Sequence, residues 1–126
     1  MAGLIATNTT TKRAGLQTNA GKVAALGEGG LSGAPLRPQA AKAIATLYNL
    51  TRGTLPIIGV GGIFDANDAW ELIAAGASLI QVYTGFIYEG PAIAKDINEG
   101  LRRIISREGF VSFDEAVGCR AADYAG

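Results

Sequence analysis

Residues 55–89, LPIIGVGGIFDANDAWELIAAGASLIQVYTGFIYE, decide the fold of this chain. The run Pro56–Val60 is apolar and rich in β-branched residues, without polar alternation, which is typical of a parallel strand buried on both faces. Asp65 is a suitable N-cap for the helix that follows, and Gly76 suits the left-handed position after its last turn. Ser78–Tyr83 is the next predicted strand. The stretch therefore predicts a βαβ unit.

Glycines lie at the carboxyl ends of both predicted strands. Gly61 and Gly62 follow the first strand, and Thr84 and Gly85 follow the second. Because glycine has no Cβ, backbone N–H groups at such positions can approach an anion closely, as a phosphate site requires. The alternative interpretation of Gly61 and Gly62 is an ordinary βα turn that caps a helix.

Strands and helices alternate along the rest of the chain as well. An apolar strand, Gly3–Thr7, begins almost at the first residue, and a segment without clear periodicity follows it to about Leu36. Three helices are predicted from apolar residues at helical spacing: Ala41, Ile44, Ala45 and Tyr48; Ala66, Ala69, Trp70 and Ile73; Ile93, Ile97, Leu101, Ile104 and Ile105. Ser112–Glu115 has the form of a capping box and predicts a short terminal helix. Such alternation indicates a parallel sheet with right-handed crossovers.

Three strands are too few to complete such a sheet, because two edges stay open and both faces cannot be covered well. Carboxyl-end glycines on successive strands are typical of (β/α)₈ barrels, whose phosphate site follows the last two strands. A barrel of this kind needs about 250 residues, and the chain has 126. The prediction is an α/β fold: residues 1–126 as the carboxyl-terminal part of a TIM (β/α)₈ barrel, about three βα units plus terminal helices, with the earlier units missing.

Composition narrows the classes of function. The chain has 11 basic and 11 acidic residues, so its net charge is zero and no basic field is present to attract nucleic acid. It has no histidine, which excludes a histidine-based triad or zinc site within the chain, and we predict no metal site. Its one cysteine, Cys119, excludes an internal disulfide and is interpreted as a passive thiol in a reducing, cytosolic setting.

The sequence predicts no targeting or membrane segment. The longest apolar runs are broken by glycine well short of the roughly 20 residues that cross a bilayer. The first residues, Met1–Leu4, lead into a strand pattern without the basic region of a signal peptide.

Four segments together resemble the quinone-dependent class of dihydroorotate dehydrogenases. They are Leu4–Thr10, Gly29–Leu36, Pro56–Gly62 and Ala75–Phe86, and the likeness extends over about residues 3–118. One glycine motif alone is weak evidence, whereas four in order with compatible spacing are specific. Tyr83 also favours this class, because the soluble class tends to have glycine at that position.

The resemblance implies a flavin enzyme of pyrimidine biosynthesis that oxidises dihydroorotate to orotate and passes the electrons to a quinone. Carried over residue by residue, it implies FMN contacts from Thr7, Gly33, Gly62, Tyr83 and Thr84, and pyrimidine substrate contacts from Asn8 and Thr9. Local interpretations remain open beside these. Asn8 and Thr9 could form a turn that leaves a strand, Gly33 could be a turn glycine, and Thr7 could simply end its strand.

The family's catalytic serine base, its flavin-contacting lysines and its amino-terminal quinone-tunnel helices belong to the part of the barrel that is missing here. Ser32 and Ser78 do not replace the base, since they fall in a glycine turn and at a strand start. Oxidation at a C–H bond needs a base within reach of the proton and a flavin to take the hydride. We therefore predict no catalytic residue in this chain and expect it to be inactive alone. For the full-length family, peripheral membrane association on the cytoplasmic side is expected.

Two alternatives remain. The chain could belong to another FMN-dependent barrel oxidoreductase, such as the soluble dihydroorotate dehydrogenase class. It could also be a non-catalytic half-barrel that associates with itself or with a partner through its open edges, which predicts a dimer or a complex.

Overall fold

The computed structural model describes all residues, Met1–Gly126, and contains one three-stranded parallel sheet. The strands are β1 (Leu4–Ala6), β2 (Ile57–Val60) and β3 (Leu79–Gln81), in the order β1-β2-β3. Each strand is followed by at least one helix. The predicted α/β fold with parallel strands in an open, part-barrel sheet is confirmed.

The outer strands are shorter than predicted. The sequence predicts strands at Gly3–Thr7 and Ser78–Tyr83, whereas the paired residues are Leu4–Ala6 and Leu79–Gln81. β1 and β3 each pair only with β2, which has four residues, so neither ladder extends further. The residues just beyond the paired ones are therefore free to turn at the carboxyl edge of the sheet.

Seven α-helices and a 3₁₀ turn accompany the strands. They are α1 (Ala20–Ala25), the 3₁₀ turn (Ala34–Leu36), α2 (Arg37–Thr51), α3 (Ala66–Ala75), α4 (Thr84–Glu89), α5 (Ile93–Arg107), α6 (Phe113–Ala116) and α7 (Ala121–Tyr124). α1 lies in the segment without clear periodicity, and α4 is a helix that the sequence patterns do not predict. α1 begins at Asn19, whose side chain accepts a hydrogen bond from the Gly21 N–H at 2.8 Å, and it buries no residue.

Capping groups fix the ends of the two central helices. The Asp65 carboxylate accepts a hydrogen bond from the Asp68 N–H at 2.9 Å and begins α3, as predicted. Gly76 ends α3 with φ 130°, a conformation that favours glycine but is not the left-handed helical one. α2 ends at the left-handed Arg52, with φ 52°, followed by Gly53 with φ 67°.

The core lies on one side of the sheet, between the strands and helices α2, α3 and α5. Its largest fully buried side chains are Ile44, Ile57, Leu72 and Ile73. The three predicted apolar stripes pack into it, although Tyr48, Ala66 and Ile105 are only partly buried. The Trp70 ring lies 6.1 Å from the Phe110 ring, centroid to centroid, and is a core side chain as predicted.

The other face of the sheet is open. Ile5, Ile58 and Leu79 are register partners, so their side chains form one row across this face. Ile5 is 68% exposed and Leu79 is 61% exposed. The expectation that β2 is buried on both faces is wrong for this chain, because its residues alternate between buried, such as Ile57, and half-buried. Helices cover one face only.

None of the helices combines the length and the apolar character needed to cross a bilayer. No group of three or more His, Cys, Asp and Glu residues lies close enough together to hold a metal ion.

Candidate functional site

A cavity of about 670 Å³ lies at the carboxyl-terminal ends of the three strands. Its volume falls within the range of about 300–1,000 Å³ found for small-molecule sites. No Asp, Glu, Lys, Arg, His or Cys is among its lining residues. The lining includes every residue that the sequence predicts to contact a ligand: Thr7, Asn8, Thr9, Gly33, Gly62, Tyr83 and Thr84. The structure therefore brings together groups that are far apart in sequence.

The residues after β1 form the first wall. The Thr7 N–H donates to the Val60 carbonyl at 2.9 Å, which ties the chain to the end of β2. The Asn8 side-chain oxygen accepts a hydrogen bond from the Thr9 N–H at 2.8 Å, so the local turn expected from these residue types is present. Asn8 and Thr9 are both exposed to the cavity, and no protein acceptor binds the Asn8 amide N–H groups. The turn leaves those donors available to a ligand.

The segment before α2 folds back to form the second wall. Thr10 and Leu31 exchange two backbone hydrogen bonds of 3.1 and 2.7 Å. The Arg13 guanidinium donates to the Thr10 carbonyl at 3.0 Å and to the Gly29 carbonyl. A Cβ on Gly30 would overlap the side chain of Thr9, so only glycine permits this contact. These contacts close the long loop and bring its glycine-rich end to the cavity.

Two glycine turns pack directly against each other at the base of the cavity. Gly33 has φ 85° and Gly62 has φ 70°, both in the region that favours glycine. A Cβ on Gly62 would lie 2.8 Å from the Arg37 Cβ and 3.0 Å from the Gly33 carbonyl oxygen. On the remaining side, the Thr84 hydroxyl donates to the Ser32 hydroxyl at 2.9 Å. The ends of β2 and β3 and the start of α2 thus meet at one place.

Several backbone donors at this meeting point have no acceptor in the protein. The N–H groups of Gly33, Gly62, Ile63, Thr84 and Gly85 donate no hydrogen bond within the chain. All of these residues except Thr84 are buried. Buried backbone N–H groups are nearly always paired, and these five residues line an open cavity, so their N–H groups are available to an acceptor from outside the chain, either water or a ligand. Unpaired backbone N–H groups beside glycine turns in an uncharged cavity favour an anionic group such as a phosphate.

Sequence reasoning missed three of the residues that form this cluster or support it. Ser32 and Ile63 line the cavity, and Arg37 packs behind it. Gly85, which the sequence marks as a strand-end glycine, lines the cavity, and a Cβ there would overlap the Ile63 carbonyl. The contacts of Ser32 and Arg37 join distant segments, which no local pattern reveals.

Cys119 and Tyr124 both lie away from this cavity. Partial burial raises the pKa of the Cys119 thiol and that of the Tyr124 hydroxyl. Neither residue lines the cavity. Cys119 is also exposed and forms no disulfide, so these shifts belong to the packing around α7.

An open parallel α/β sheet with glycine turns at its carboxyl edge is the arrangement of part of a (β/α)₈ barrel, the class of fold in which phosphate sites lie at that edge. The model of the family described as dihydroorotate dehydrogenase matches residues 1–105. The chain is 53% identical over 122 residues to "Dihydroorotate dehydrogenase (quinone)" of Nostoc punctiforme, covering 94% of this chain and 32% of the relative. It is 50% identical over 121 residues to the protein of the same name from Roseiflexus castenholzii, with 96% and 32% covered.

Solved structures agree with the sequence relatives. The crystal structure of ligand-free DHODH from Eimeria tenella superposes with a TM-score of 0.85 at 38% identity, covering 94% of this chain and 32% of that one. The same enzyme in complex with ferulenol gives the same TM-score. The chain belongs to the dihydroorotate dehydrogenase family, and the expected resemblance to the quinone-dependent class is confirmed. It spans about a third of the length of these relatives.

Proposed function

We propose that this chain supplies one wall of an FMN and dihydroorotate site, which serves the oxidation of dihydroorotate to orotate with a quinone as electron acceptor. The observation that carries the proposal is the cluster of unpaired backbone N–H groups contributed by Gly33, Gly62, Ile63, Thr84 and Gly85. Such a cluster suits an anionic ligand, and the names of the relatives supply the class of enzyme in which to seek it.

The residues at the cavity fit an FMN phosphate. The N–H groups of Gly33 and Gly62 lie where any Cβ would be strained, and the Thr84 hydroxyl lies beside them. We assign the phosphate contacts to these three residues, and further FMN contacts to Thr7 and Tyr83. When bound, FMN would supply a hydride acceptor.

Asn8 and Thr9 are proposed to hold the pyrimidine. Both side chains are exposed to the cavity, and both carry neutral groups that donate and accept hydrogen bonds. The dihydroorotate ring offers amide N–H and carbonyl groups, which pair well with such side chains. The fixed turn between the two residues orients them before the substrate arrives.

The lining residues support the proposal that this chain alone is not catalytic. Removing a proton from carbon requires a base within hydrogen-bond reach. The lining contains no carboxylate, lysine, histidine or cysteine, and the Ser32 hydroxyl is engaged by Thr84. We assign the base to the part of the barrel that the relatives have beyond this third, and we assign the quinone contacts to that part as well.

Titration of the purified chain with FMN tests the proposed site. We expect quenching of flavin fluorescence and co-elution of flavin absorption with the protein on gel filtration. Gly33→Ala should weaken binding about tenfold, the equivalent of one lost hydrogen bond to a charged group. Gly27→Ala is the matched control, since Gly27 has a similar φ of 75° but open space around it. Absence of FMN binding by the wild-type chain, or equal binding by both variants, would contradict the proposal.

The choice of electron acceptor requires the rest of the barrel. Supplying the missing units as a second chain should restore oxidation of dihydroorotate with a quinone but not with fumarate or NAD. Reduction of fumarate or NAD would favour the soluble class instead.

A further inference from the structure

The Arg37 guanidinium joins the starts of α2 and α3 behind the cavity. Its Nε lies 3.0 Å from a Glu71 carboxylate oxygen, and its Nη1 lies 2.5 Å from an Asp68 oxygen. Nη1 also donates to the Gly62 carbonyl at 3.4 Å. The Asp68 side chain is only 15% exposed, so this cluster is better shielded from water than the surface ion pairs of the chain. A planar fork of donors suits such a three-way contact.

Asp68 binds the backbone at the other end of the Gly62 turn. Its second carboxylate oxygen accepts a hydrogen bond from the Phe64 N–H at 3.0 Å. The Gly62 carbonyl and the Phe64 N–H are thus both bound from the outer side, on either side of Ile63. In a trans peptide the C=O and N–H point in opposite directions. Binding of the Gly62 carbonyl by Arg37 therefore directs the Ile63 N–H away from Arg37.

Arg37 also belongs to the second glycine turn. Its backbone N–H donates to the Ala34 carbonyl and completes the 3₁₀ turn that begins at Gly33. A Cβ on Gly62 would lie 2.9 Å from the Arg37 nitrogen, so the two turns touch at this residue. One residue thus contacts both turns, one through its backbone and the other through its side chain.

We infer that Arg37 is a positioning residue for the anion cradle, the cluster of unpaired backbone N–H groups of Gly33, Gly62, Ile63, Thr84 and Gly85. From outside the cavity it sets the orientation of the Gly62–Ile63 peptide relative to the Gly33 turn, and so the direction of the unpaired Ile63 N–H. Two carboxylates pair with its positive charge. Arg37 therefore contributes by positioning the backbone of the Gly62 turn and not by attracting an anion directly. The identity of the anion as the FMN phosphate rests on the proposed function, whereas the placement does not.

The placement is tested in the ligand-free chain by NMR. In the wild-type chain the backbone order parameters of Gly62, Ile63 and Phe64 should be about 0.85, the value for rigid backbone. Arg37→Met should lower them below about 0.6. Arg103→Met is the control, because it removes an exposed arginine paired with Glu99 at 3.9 Å on α5. Order parameters that stay at the control value would overturn the inference.

A second variant keeps the test decisive if Arg37→Met does not fold. Arg37→Lys retains the charge and loses the planar fork, so it should lower the same order parameters. Unchanged values in a folded Arg37→Lys chain would count against the inference in the same way.

The ligand side is tested with two flavins that differ only in the phosphate. Arg37→Met should weaken FMN binding on the order of tenfold and leave riboflavin binding unchanged. Equal weakening of both flavins would indicate general structural damage and refute a role at the anion cradle. If the wild-type chain binds neither flavin, the proposed function fails, and the order parameters still decide whether Arg37 positions the turn.

Discussion

The hydroxyl of Thr84 donates a hydrogen bond of 2.9 Å to the hydroxyl of Ser32, although 52 positions separate the two residues. Ser32 precedes the Gly33 turn, and Thr84 begins the helix after β3. This bond therefore fastens the loop before α2 to the end of the last strand, at the wall of the cavity.

Thr84→Val is expected to weaken FMN binding by about two- to tenfold, because it removes this bond and a hydroxyl at the cavity while keeping the side-chain shape. Thr46→Val is the control, since the Thr46 hydroxyl donates within α2 to the Lys42 carbonyl and is remote from the cavity. Flavin fluorescence titrations measure both. Equal affinity in the two variants would show that the Ser32–Thr84 bond has no part in flavin binding.

Gly62→Ala is expected to destabilise the chain by about 2–4 kcal/mol, the sum of a positive-φ penalty and overpacking. The added Cβ would lie 2.8 Å from the Arg37 Cβ. Gly90→Ala shares the positive φ, 79°, but meets nothing within 4 Å, so it should cost only about 1–2 kcal/mol. Urea unfolding of both variants gives the difference. A Gly62→Ala chain as stable as the Gly90→Ala chain would contradict the packing described between the two turns.

The open sheet face is expected to drive self-association of the isolated chain. Ile5 and Leu79 are mostly exposed, and the outer edges of β1 and β3 have no partner. Sedimentation velocity should show a dimer or larger species for the wild-type chain, and a smaller species when both residues are changed to lysine. Leu26→Lys, at an 83% exposed position just after α1, should leave the assembly unchanged. A monomeric wild-type chain would rule out this expectation.

Cys119 is expected to alkylate slowly at neutral pH. Partial burial raises the pKa of this thiol above its ordinary value, so the reactive thiolate is scarcer than in an unfolded chain. The midpoint of the rate–pH profile with iodoacetamide should therefore lie at higher pH in the folded chain than in urea. Because the folded pKa is the raised one, any stability linked to this group is present below the unfolded pKa and is lost as pH rises through the folded pKa. A folded midpoint at or below the unfolded one would contradict the assignment.

Patterns local to the sequence predict most of the fold. The apolar strand before Gly61, the Asp65 cap and the spacing of Ile93 and Ile97 each reflect short-range physics, and each has its predicted outcome. α1 and α4 were not predictable in this way. α1 buries nothing, and α4 exposes Phe86 and other large apolar side chains, so neither has an amphipathic stripe.

The candidate site, like the fold, was predictable from the sequence only in part. Glycines at strand ends mark where Gly33 and Gly62 lie, because glycine conformations are a local property. The contacts that make the place a cradle are not local. Arg37 meets carboxylates in another helix, and Arg13 binds the Gly29 carbonyl after a long excursion of the chain. Only the folded chain shows such pairs.

The bridge between Thr10 and Leu31 closes residues 11–30 into a loop whose two ends are held together. No residue of α1 is buried, so α1 does not anchor this loop to the core. For a flexible loop, each doubling of length costs only about 0.6 kcal/mol in closure entropy. A tag or reporter peptide inserted near Gly15, where the chain lies in open space, therefore leaves Thr9 and Gly33 in place. This segment is the part of the chain best suited to carry foreign sequence.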